Sequence, residues 1–241
     1  MKKILIVLFI STSLLFSCKR QIIPADDIEL GKEYFPLTMG HTIEYAVDSI
    51  LYNDFNSTVD TFRYEIKDEI GNEFIDNEGR TSYLVHRYKR QDASYAWADN
   101  LTYYITQTAF NIEVIESNLR FIKMVFPVKT NTKWDGNKFI TTDVDELKWY
   151  NGWEYKYVNI NESYNTGYIN FPNTVTINEV DDVVGDTLDA TKYSTRTFSR
   201  ERYAKNVGLI SREIVKWEYQ NNAQAKFRNG FILIYNAKNY Y

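Results

Sequence analysis

Residues 148–157, KWYNGWEYKY, carry five aromatic side chains in ten positions. The Asn151-Gly152 pair inside this stretch is a strong signal for a two-residue hairpin turn, which would bring the rings on its two sides face to face. An exposed ribbon of this kind could stack on sugar rings or lie at a membrane interface, whereas cross-strand packing inside a sheet is the simpler interpretation. The candidate ligand-binding aromatics are Trp149, Tyr150, Trp153 and Tyr155.

Signals for catalysis and for metal binding are missing from the sequence. Only two histidines occur, His41 and His86, and neither has the neighbours or spacing of a metal site. Residues 179–186, EVDDVVGD, lack the alternation of a calcium loop, and no nucleophile, phosphate-binding or dinucleotide-binding motif occurs. A pair of glycosidase carboxylates has a spatial separation that sequence cannot reveal. We therefore predict a protein that is not an enzyme and has no catalytic residues, metal or cofactor.

The amino terminus predicts export and lipid attachment. Lys2 and Lys3 precede fourteen uncharged residues, which are too few to cross a bilayer as a helix, and then comes Cys18. The residues before Cys18, Leu-Phe-Ser, resemble the lipobox of bacterial lipoproteins. This resemblance implies that residues 1–17 are a signal peptide and that the Cys18 thiol is linked to diacylglycerol; an ordinary signal peptide with an incidental cysteine is the alternative. No other cysteine occurs, so the mature chain has none left for a disulfide.

Charge restricts the partners of the mature chain. Without residues 1–17 it has 26 basic and 32 acidic residues, a net charge of −6, which argues against binding to nucleic acid. Basic residues cluster only in HRYKR, residues 86–90, which we interpret as a strand with a solvated face. The predicted partners are the membrane, through the lipid anchor, and an envelope protein or a glycan.

The residues after Cys18 predict a side of the membrane. Lipoproteins that are exported to the cell surface resemble a rule in which acidic residues closely follow the lipidated cysteine. Here Lys19 and Arg20 follow it, and the first acids are Asp26 and Asp27. Basic residues beside an anchor favour anionic head groups, by about 1 kcal/mol each. We therefore expect the protein in the outer membrane, facing the periplasm rather than the cell surface.

Composition and periodicity predict an all-β fold. The chain has 20 Tyr, 14 Phe and 5 Trp, residue types that favour strands, and stretches such as TFRYEIK, residues 61–67, alternate apolar and polar side chains. Turn signals at Gly71-Asn72 and Asn229-Gly230 suggest an antiparallel β-sandwich or a curved, barrel-like sheet. The best helix candidate is residues 143–150. We assign residues 18–33 to the lipidated cysteine and a tether, and residues 34–241 to one all-β domain.

Two segments 91 residues apart follow one pattern, FPLTMGHTIEY at 35–45 and FPVKTNTKWDG at 126–136. Each begins with Phe-Pro, has Gly or Asn five residues after the Phe, and has a large apolar residue three further on. Proline forces extended geometry before it, and Gly or Asn accepts a positive φ, so the pattern predicts a corner before a strand. A duplication of two β-lobes would explain its recurrence, and chance is the alternative. The corner residues are Phe35, Pro36, Gly40, Phe126, Pro127, Asn131 and Trp134.

These corners, with residues 119–137 and 203–220, resemble a family of uncharacterised lipoproteins from Bacteroidota. The first corner has Ile43 where that family commonly has Trp, and the second has Asn131 where it commonly has Gly. The resemblance implies a lipid-anchored envelope protein and supplies no catalytic residues. From it we expect a binding or scaffolding module of the outer membrane. The alternatives are a periplasmic carrier that holds an acyl chain or another apolar ligand in a curved sheet, and, last, a glycan-active enzyme.

Overall fold

The structure, a computed structural model, describes residues 29–221 and 226–241. Cys18 and most of the predicted tether lie outside these residues. The predicted all-β fold is confirmed. The strands are β1 Thr42–Asn53, β2 Thr58–Ile75, β3 Thr81–Arg90, β4 Ala98–Gln107, β5 Asn111–Glu116, β6 Leu119–Val125, β7 Lys133–Trp134, β8 Tyr155–Asn165, β9 Asn170–Val184, β10 Ser194–Ala204, β11 Gly208–Asn221 and β12 Lys226–Tyr240. Two single-turn 3-10 helices cover Lys32–Tyr34 and Lys148–Tyr150.

The twelve strands form one antiparallel, nearly closed, barrel-like sheet in the order β6-β5-β4-β3-β2-β1-β12-β11-β10-β9-β8-β7. Each half of the chain is a six-stranded meander, and the first and last strands pair along ten residue pairs to join the halves. Pairing the chain ends in the middle of the sheet leaves only β6 and β7 as edges. The barrel therefore has a single seam, between these two strands.

Side chains close that seam where the ladder of strand hydrogen bonds is missing. The Trp134 indole donates to the carbonyl of Ile122 at 2.8 Å, and the Ile122 amide donates to the carbonyl of Gly136 at 2.8 Å. The Tyr157 hydroxyl accepts from the Val125 amide at 2.9 Å and donates to the carbonyl of the same residue at 2.8 Å. These bonds satisfy part of the exposed edge of β6, which would otherwise be open to pairing with another chain.

The two predicted corners share one turn and hydrogen-bond pattern, although the Phe126-Pro127 peptide bond is cis and the Phe35-Pro36 bond is not. Gly40 has φ +83° and Asn131 has φ +66°, the left-handed region that these residue types tolerate best. The Gly40 amide donates to the carbonyl of Ile70 at 2.7 Å, and the Asn131 amide donates to that of Tyr157 at 3.1 Å. Ile70 and Tyr157 in turn donate to the residue after Gly40 and the residue after Asn131, at 2.9 and 3.2 Å. Corner, strand and return strand thus repeat in both halves, as a duplication predicts.

The second corner also contacts the segment that precedes the first corner. The Val128 amide donates to the carbonyl of Leu30 at 2.9 Å, and a Cβ added to Gly31 would lie 2.6 Å from the Val128 side chain. The ring of Phe35 packs 5.5 Å from that of Tyr203. The last residues of the predicted tether, from Glu29 onward, therefore lie against the barrel, and the two segments close one of its ends.

The main core lies inside the barrel. Its buried side chains come from strands that are not neighbours in the sheet, including Val85, Ile105 and Met124 from one half and Tyr155 and Ile177 from the other, so they meet across the interior. A smaller cluster of Phe198, Val215 and Trp217 lies apart from this core.

Two predicted turns are wrong, because both fall inside long strands. Gly71 lies in β2 at a bulge, where the register to β3 shifts between Ile70 and Glu73. Gly230 lies in β12, and a Cβ there would come 2.1 Å from the carbonyl oxygen of Lys216. Glycine at these positions allows close approach of a neighbouring strand or a local bend, which gives the same sequence signal as a turn.

Candidate functional site

A group of charged side chains crosses the interior of the barrel. Lys123 on β6 donates to a carboxylate oxygen of Glu179 on β9 at 2.7 Å and to one of Glu201 on β10 at 2.9 Å. Arg212 on β11 donates through Nε to the same Glu201 oxygen at 2.7 Å. The side chains of the lysine and the two glutamates are 8, 2 and 1% exposed, and that of Arg212 is 13% exposed.

A second arginine continues this group on the other wall. Arg87 on β3 donates through Nε and Nη2 to the two carboxylate oxygens of Asp68, both at 2.7 Å, and through Nη1 to Glu116 at 2.6 Å. The Tyr103 hydroxyl adds a hydrogen bond to Asp68 at 3.0 Å. We call the whole set the charged layer. It consists of Asp68, Arg87, Glu116, Lys123, Glu179, Glu201 and Arg212.

Two β-bulges place the central pair of this layer. Opposite β5, the partner on β6 changes from Met124 to Ile122, which leaves Lys123 as an extra residue. Opposite β10, the partner on β9 changes from Val180 to Asn178, which leaves Glu179 as an extra residue. A bulge re-aims a side chain at the cost of a ladder position and is frequent beside functional sites. The two bulge residues, Lys123 and Glu179, thus bind each other inside the barrel, on the side that contains the seam.

Burial and proximity shift the pKa values of the two glutamates in opposite directions. Burial, reinforced by repulsion from Glu201, raises the pKa of Glu179 above its ordinary value. Burial alone would also raise the pKa of Glu201, but the attraction of Lys123 and Arg212 outweighs it and lowers this pKa to about 2. Of these two glutamates, Glu201 thus holds its negative charge more firmly, and Glu179 takes up a proton more readily.

A cleft of about 160 Å³ opens above the charged layer. One wall is aromatic and the floor is polar, and we call it the aromatic cleft. The aromatic side chains that line it are Phe121, Trp149, Tyr150, Trp153 and Tyr155, and the polar ones are Glu116, Ser117, Lys123, Glu179, Ser199 and Arg212. A second cavity of about 60 Å³ lies toward the corner end and shares Glu116 and Arg212 with the cleft.

The four predicted aromatic residues come together, but not as a hairpin. Trp149 and Tyr150 belong to the short 3-10 helix, and β8 begins only at Tyr155, so the predicted paired ribbon is wrong. The Asn151-Gly152 pair does form a turn, with φ +74° at the glycine, between segments that are not paired strands. The predicted helix over 143–150 is wrong as well, since only its last three residues are helical, and eight residues without a side-chain cap are too few to sustain one.

Hydrogen bonds to the backbone hold this aromatic segment in place. The Trp153 indole donates to the carbonyl of Trp149 at 2.7 Å, and the Asn137 amide group donates to that of Tyr150 at 2.9 Å. Tyr155 donates to the same Asn137 side chain at 3.0 Å. The wall of the cleft is therefore fixed by specific bonds, as a preformed binding site requires.

The rings of the segment divide into two roles. Trp153 is 5% exposed and Tyr155 is fully buried, so both serve mainly as packing for the core. Trp149 and Tyr150 are only half-buried, with ring centroids 4.1 Å apart, and they form the accessible part of the wall. Of the four candidates, these two are placed to contact a ligand.

Several polar hydrogens facing the aromatic cleft have no acceptor among residues 29–221 and 226–241. Among the described residues, Arg212 donates only through Nε, which leaves the hydrogens of Nη1 and Nη2 without a protein acceptor. The Tyr150 hydroxyl likewise donates to no side chain or carbonyl in the described ranges. Every fully buried side-chain nitrogen and oxygen there does have a partner, so these groups reach the open space of the cavities.

The carboxylates near the aromatic cleft are all bonded to basic side chains. Glu179 lines the aromatic cleft, but Glu201 does not, and both are bonded to Lys123. Glu116 is bonded to Arg87. A glycosidase instead places two carboxyl groups on opposite sides of a sugar linkage, with one free to act as nucleophile or base.

Other predicted sites fall outside the cleft. His41 contacts the carbonyl of Val207 at 2.7 Å at the corner end. HRYKR lies in β3 as predicted, but its interpretation as a solvated face is wrong for Arg87, which is buried in the charged layer. The sequence reasoning missed Lys123, Glu201 and Arg212 altogether. The one available signal was the position of such residues within otherwise apolar strands.

Comparisons with known proteins add little. The chain matches no protein-family model and no curated protein. A solved structure from Bacteroides fragilis, described as an exported protein with a YmcC-like fold, aligns with 86% of this chain and 98% of its own at 11% identity and a TM-score of 0.36. A likeness at this level carries no argument about function. Within the described ranges, no helix is long and apolar enough to cross a membrane.

Proposed function

We propose that this protein is a lipid-anchored binding module of the cell envelope that holds a small polar ligand in the aromatic cleft and catalyses no reaction. The observation that carries the proposal is the combination of Trp149 and Tyr150 on one side of the cleft with the free Arg212 hydrogens on its floor. Apolar walls with a few convergent polar groups are the general form of a small-molecule site. A glycan unit is the ligand class that best fits rings and hydrogen-bonding groups together.

The alternative, a carrier of an acyl chain, has less support. A chain of methylene groups requires one continuous apolar cavity, and its burial contributes roughly 0.8 kcal/mol per group. The interior of this barrel is instead largely occupied by the apolar core and crossed by seven charged side chains. The two cavities, about 60 and 160 Å³, meet at Arg212 and Glu116.

A glycan-active enzyme remains the last alternative. It would need Glu179, the carboxylate of the cleft floor whose pKa is raised by burial, to act with a second free carboxylate. No second one is free among the described lining residues, because Glu116 is already bonded to Arg87.

Saccharide binding tests the proposal directly. Residues 19–241 would be mixed with a panel of hexoses and hexuronates and examined by saturation-transfer NMR and calorimetry. We expect binding by at least one member and a loss of affinity of about tenfold or more in Trp149→Ala, which corresponds to about 1.4 kcal/mol. Trp97→Ala is the matched control, since Trp97 stacks on Arg90 away from the cleft. Absence of binding across the panel would contradict the proposal.

The anchor and the side of the membrane belong to the same proposal. It places Cys18 in the periplasmic leaflet of the outer membrane, on the basis of the sequence before and after it and the resemblance to Bacteroidota lipoproteins. Metabolic labelling with an alkyne fatty acid should mark the native chain and not Cys18→Ala. Proteinase K added to intact cells should leave the protein whole, and its digestion without permeabilisation would show that it faces outward.

A further inference from the structure

The Arg212 guanidinium has one hydrogen-bond partner among the described residues. Its Nε donates to Glu201 at 2.7 Å, and Nη1 and Nη2 have no acceptor in the described ranges. Arg212 lines both cavities, and the ring of Tyr235 lies 5.9 Å from its central carbon. A guanidinium held in this way presents two parallel donors, which match the two oxygens of a carboxylate.

We propose that the aromatic cleft is specific for an acidic ligand, the carboxylate of a uronic acid or a similar sugar acid, which binds bidentately to Arg212. This inference rests on the proposed function and names its ligand class. The Tyr150 hydroxyl, on the wall beside the floor, supplies a further donor to the same ligand.

The size of the cleft limits the ligand to one sugar unit. Its volume is about 160 Å³, below the roughly 300 to 1,000 Å³ of pockets that enclose drug-sized ligands. A longer saccharide would have to project past Trp149 and Tyr150, the half-buried residues of the wall. The cleft therefore binds one terminal or side-chain sugar unit of a glycan.

The charges of the layer decide how an anion can enter. When all groups are ionised, three positive side chains, Arg87, Lys123 and Arg212, face four negative ones, Asp68, Glu116, Glu179 and Glu201. An added carboxylate would leave an excess of two negative charges in a region of low dielectric, which is costly. One proton taken up from solution with the ligand reduces this excess.

Glu179 is the group placed to receive that proton. The polar and charged groups that face it are Lys123 from β6, Ser199 and Glu201 from β10, Arg212 from β11, Glu116 from β5, Tyr155 from β8 and Tyr150 from the wall. Burial has already raised its pKa, and a bound anion would raise it further. By linkage, affinity for the acid must then fall as the pH rises through the pKa of Glu179 in the free protein.

Calorimetry with D-glucuronate and D-glucose as probes tests the inference on residues 19–241 at pH 5 and pH 7.5. We expect glucuronate to bind at least about tenfold more tightly than glucose and to bind more tightly at pH 5. Arg212→Lys keeps the positive charge but loses the two parallel donors, so it should abolish most of the preference for glucuronate over glucose. Arg200→Lys is the matched control, because Arg200 bonds to Asn178 and stacks on Phe198, on the opposite face of β10. Glu179→Gln should bind glucuronate with little pH dependence.

Each outcome separates the two proposals. Equal affinity for glucuronate and glucose would overturn the acid preference and leave the proposed saccharide-binding function intact. Absence of binding by either probe and by the wider hexose panel would overturn both. If Arg212→Lys does not fold, Tyr150→Phe replaces it, with an expected loss of about threefold to tenfold in affinity for glucuronate. An unchanged affinity in that variant would remove the cleft as the site.

Discussion

Arg87 and Arg212 lie in one charged layer, but their guanidinium groups make different numbers of hydrogen bonds. Arg87 donates from all three nitrogens, twice to Asp68 and once to Glu116, at 2.6 to 2.7 Å. Arg212 donates from one nitrogen, to Glu201. Both lie about 6 Å from the ring of Tyr235, so they share an environment and differ mainly in their partners.

The difference distinguishes a structural ion pair from a prepared binding group. A buried guanidinium costs several kcal/mol to desolvate, and good hydrogen bonds to carboxylates offset that cost. For Arg87 the protein supplies a carboxylate partner to each of the three nitrogens. For Arg212 it supplies one, at Nε, and the remaining donors face space that water or a ligand must fill. An arginine retained in this state is expected where binding, not stability, determines the residue.

The largest expected effect is on Arg87. Arg87→Met leaves Asp68 buried with only the Tyr103 hydroxyl as a partner, and removal of one member of a buried pair costs about 3 to 5 kcal/mol. Urea unfolding of residues 19–241 would measure the loss. The double variant Arg87→Met with Asp68→Asn should recover part of it, and a single-variant loss below about 1 kcal/mol would show that the pair is not a structural element.

A smaller loss is expected at Arg212. In Arg212→Met, Glu201 keeps the bonds from Lys123 and from the Tyr203 hydroxyl, so we expect about 1 to 3 kcal/mol. The same urea experiment compares the two variants under one condition. If Arg212→Met is as damaging as Arg87→Met, then the unfilled hydrogen bonds of Arg212 do not mark a separate role.

The sequence predicts the strands and corners of the barrel better than the charged layer that contains Arg87 and Arg212. Alternation gives the strands, and Gly40 and Asn131 give the corners, because backbone geometry limits which residues fit there. The four aromatic candidates do lie together, although a 3-10 helix and the turn after it, not a hairpin, gather them, and their role in binding stays a prediction.

The charged layer could not be predicted, for two physical reasons. Lys123 and Glu179 sit at bulges, where the period of two that orients side chains is broken. Their pairing also requires β6 to approach β9 and β10 across the barrel, although these strands are not neighbours in the sheet. A charge in an alternating strand is usually solvated, so Arg87 in HRYKR was indistinguishable from a surface residue.

The pH dependence of stability should separate the two glutamates near Arg212. Glu201, with its pKa lowered to about 2, contributes stability that is present above its unfolded pKa and is lost as the pH falls toward 2. The raised pKa of Glu179 has the opposite sign, so its ionisation reduces stability as the pH rises above its unfolded value. Urea unfolding at pH 5 and pH 7.5 should therefore show a less negative slope in Glu179→Gln than in the native chain. Equal slopes would mean that Glu179 titrates normally.

The smallest effects concern two tyrosine hydroxyls, one beside each arginine. Tyr103 donates to Asp68 at 3.0 Å and completes the environment of Arg87, so Tyr103→Phe should cost about 0.5 to 1.5 kcal/mol. The Tyr150 hydroxyl, near Arg212, donates to no acceptor in the described part of the chain, and its loss should change the free energy of unfolding by less than about 0.3 kcal/mol. The aromatic ring stays in both variants, so core packing is matched and only the hydroxyl differs. If Tyr150→Phe lowers the free energy of unfolding as much as Tyr103→Phe does, the Tyr150 hydroxyl makes a structural hydrogen bond in the cleft. It would then not be free to bind a ligand together with Arg212.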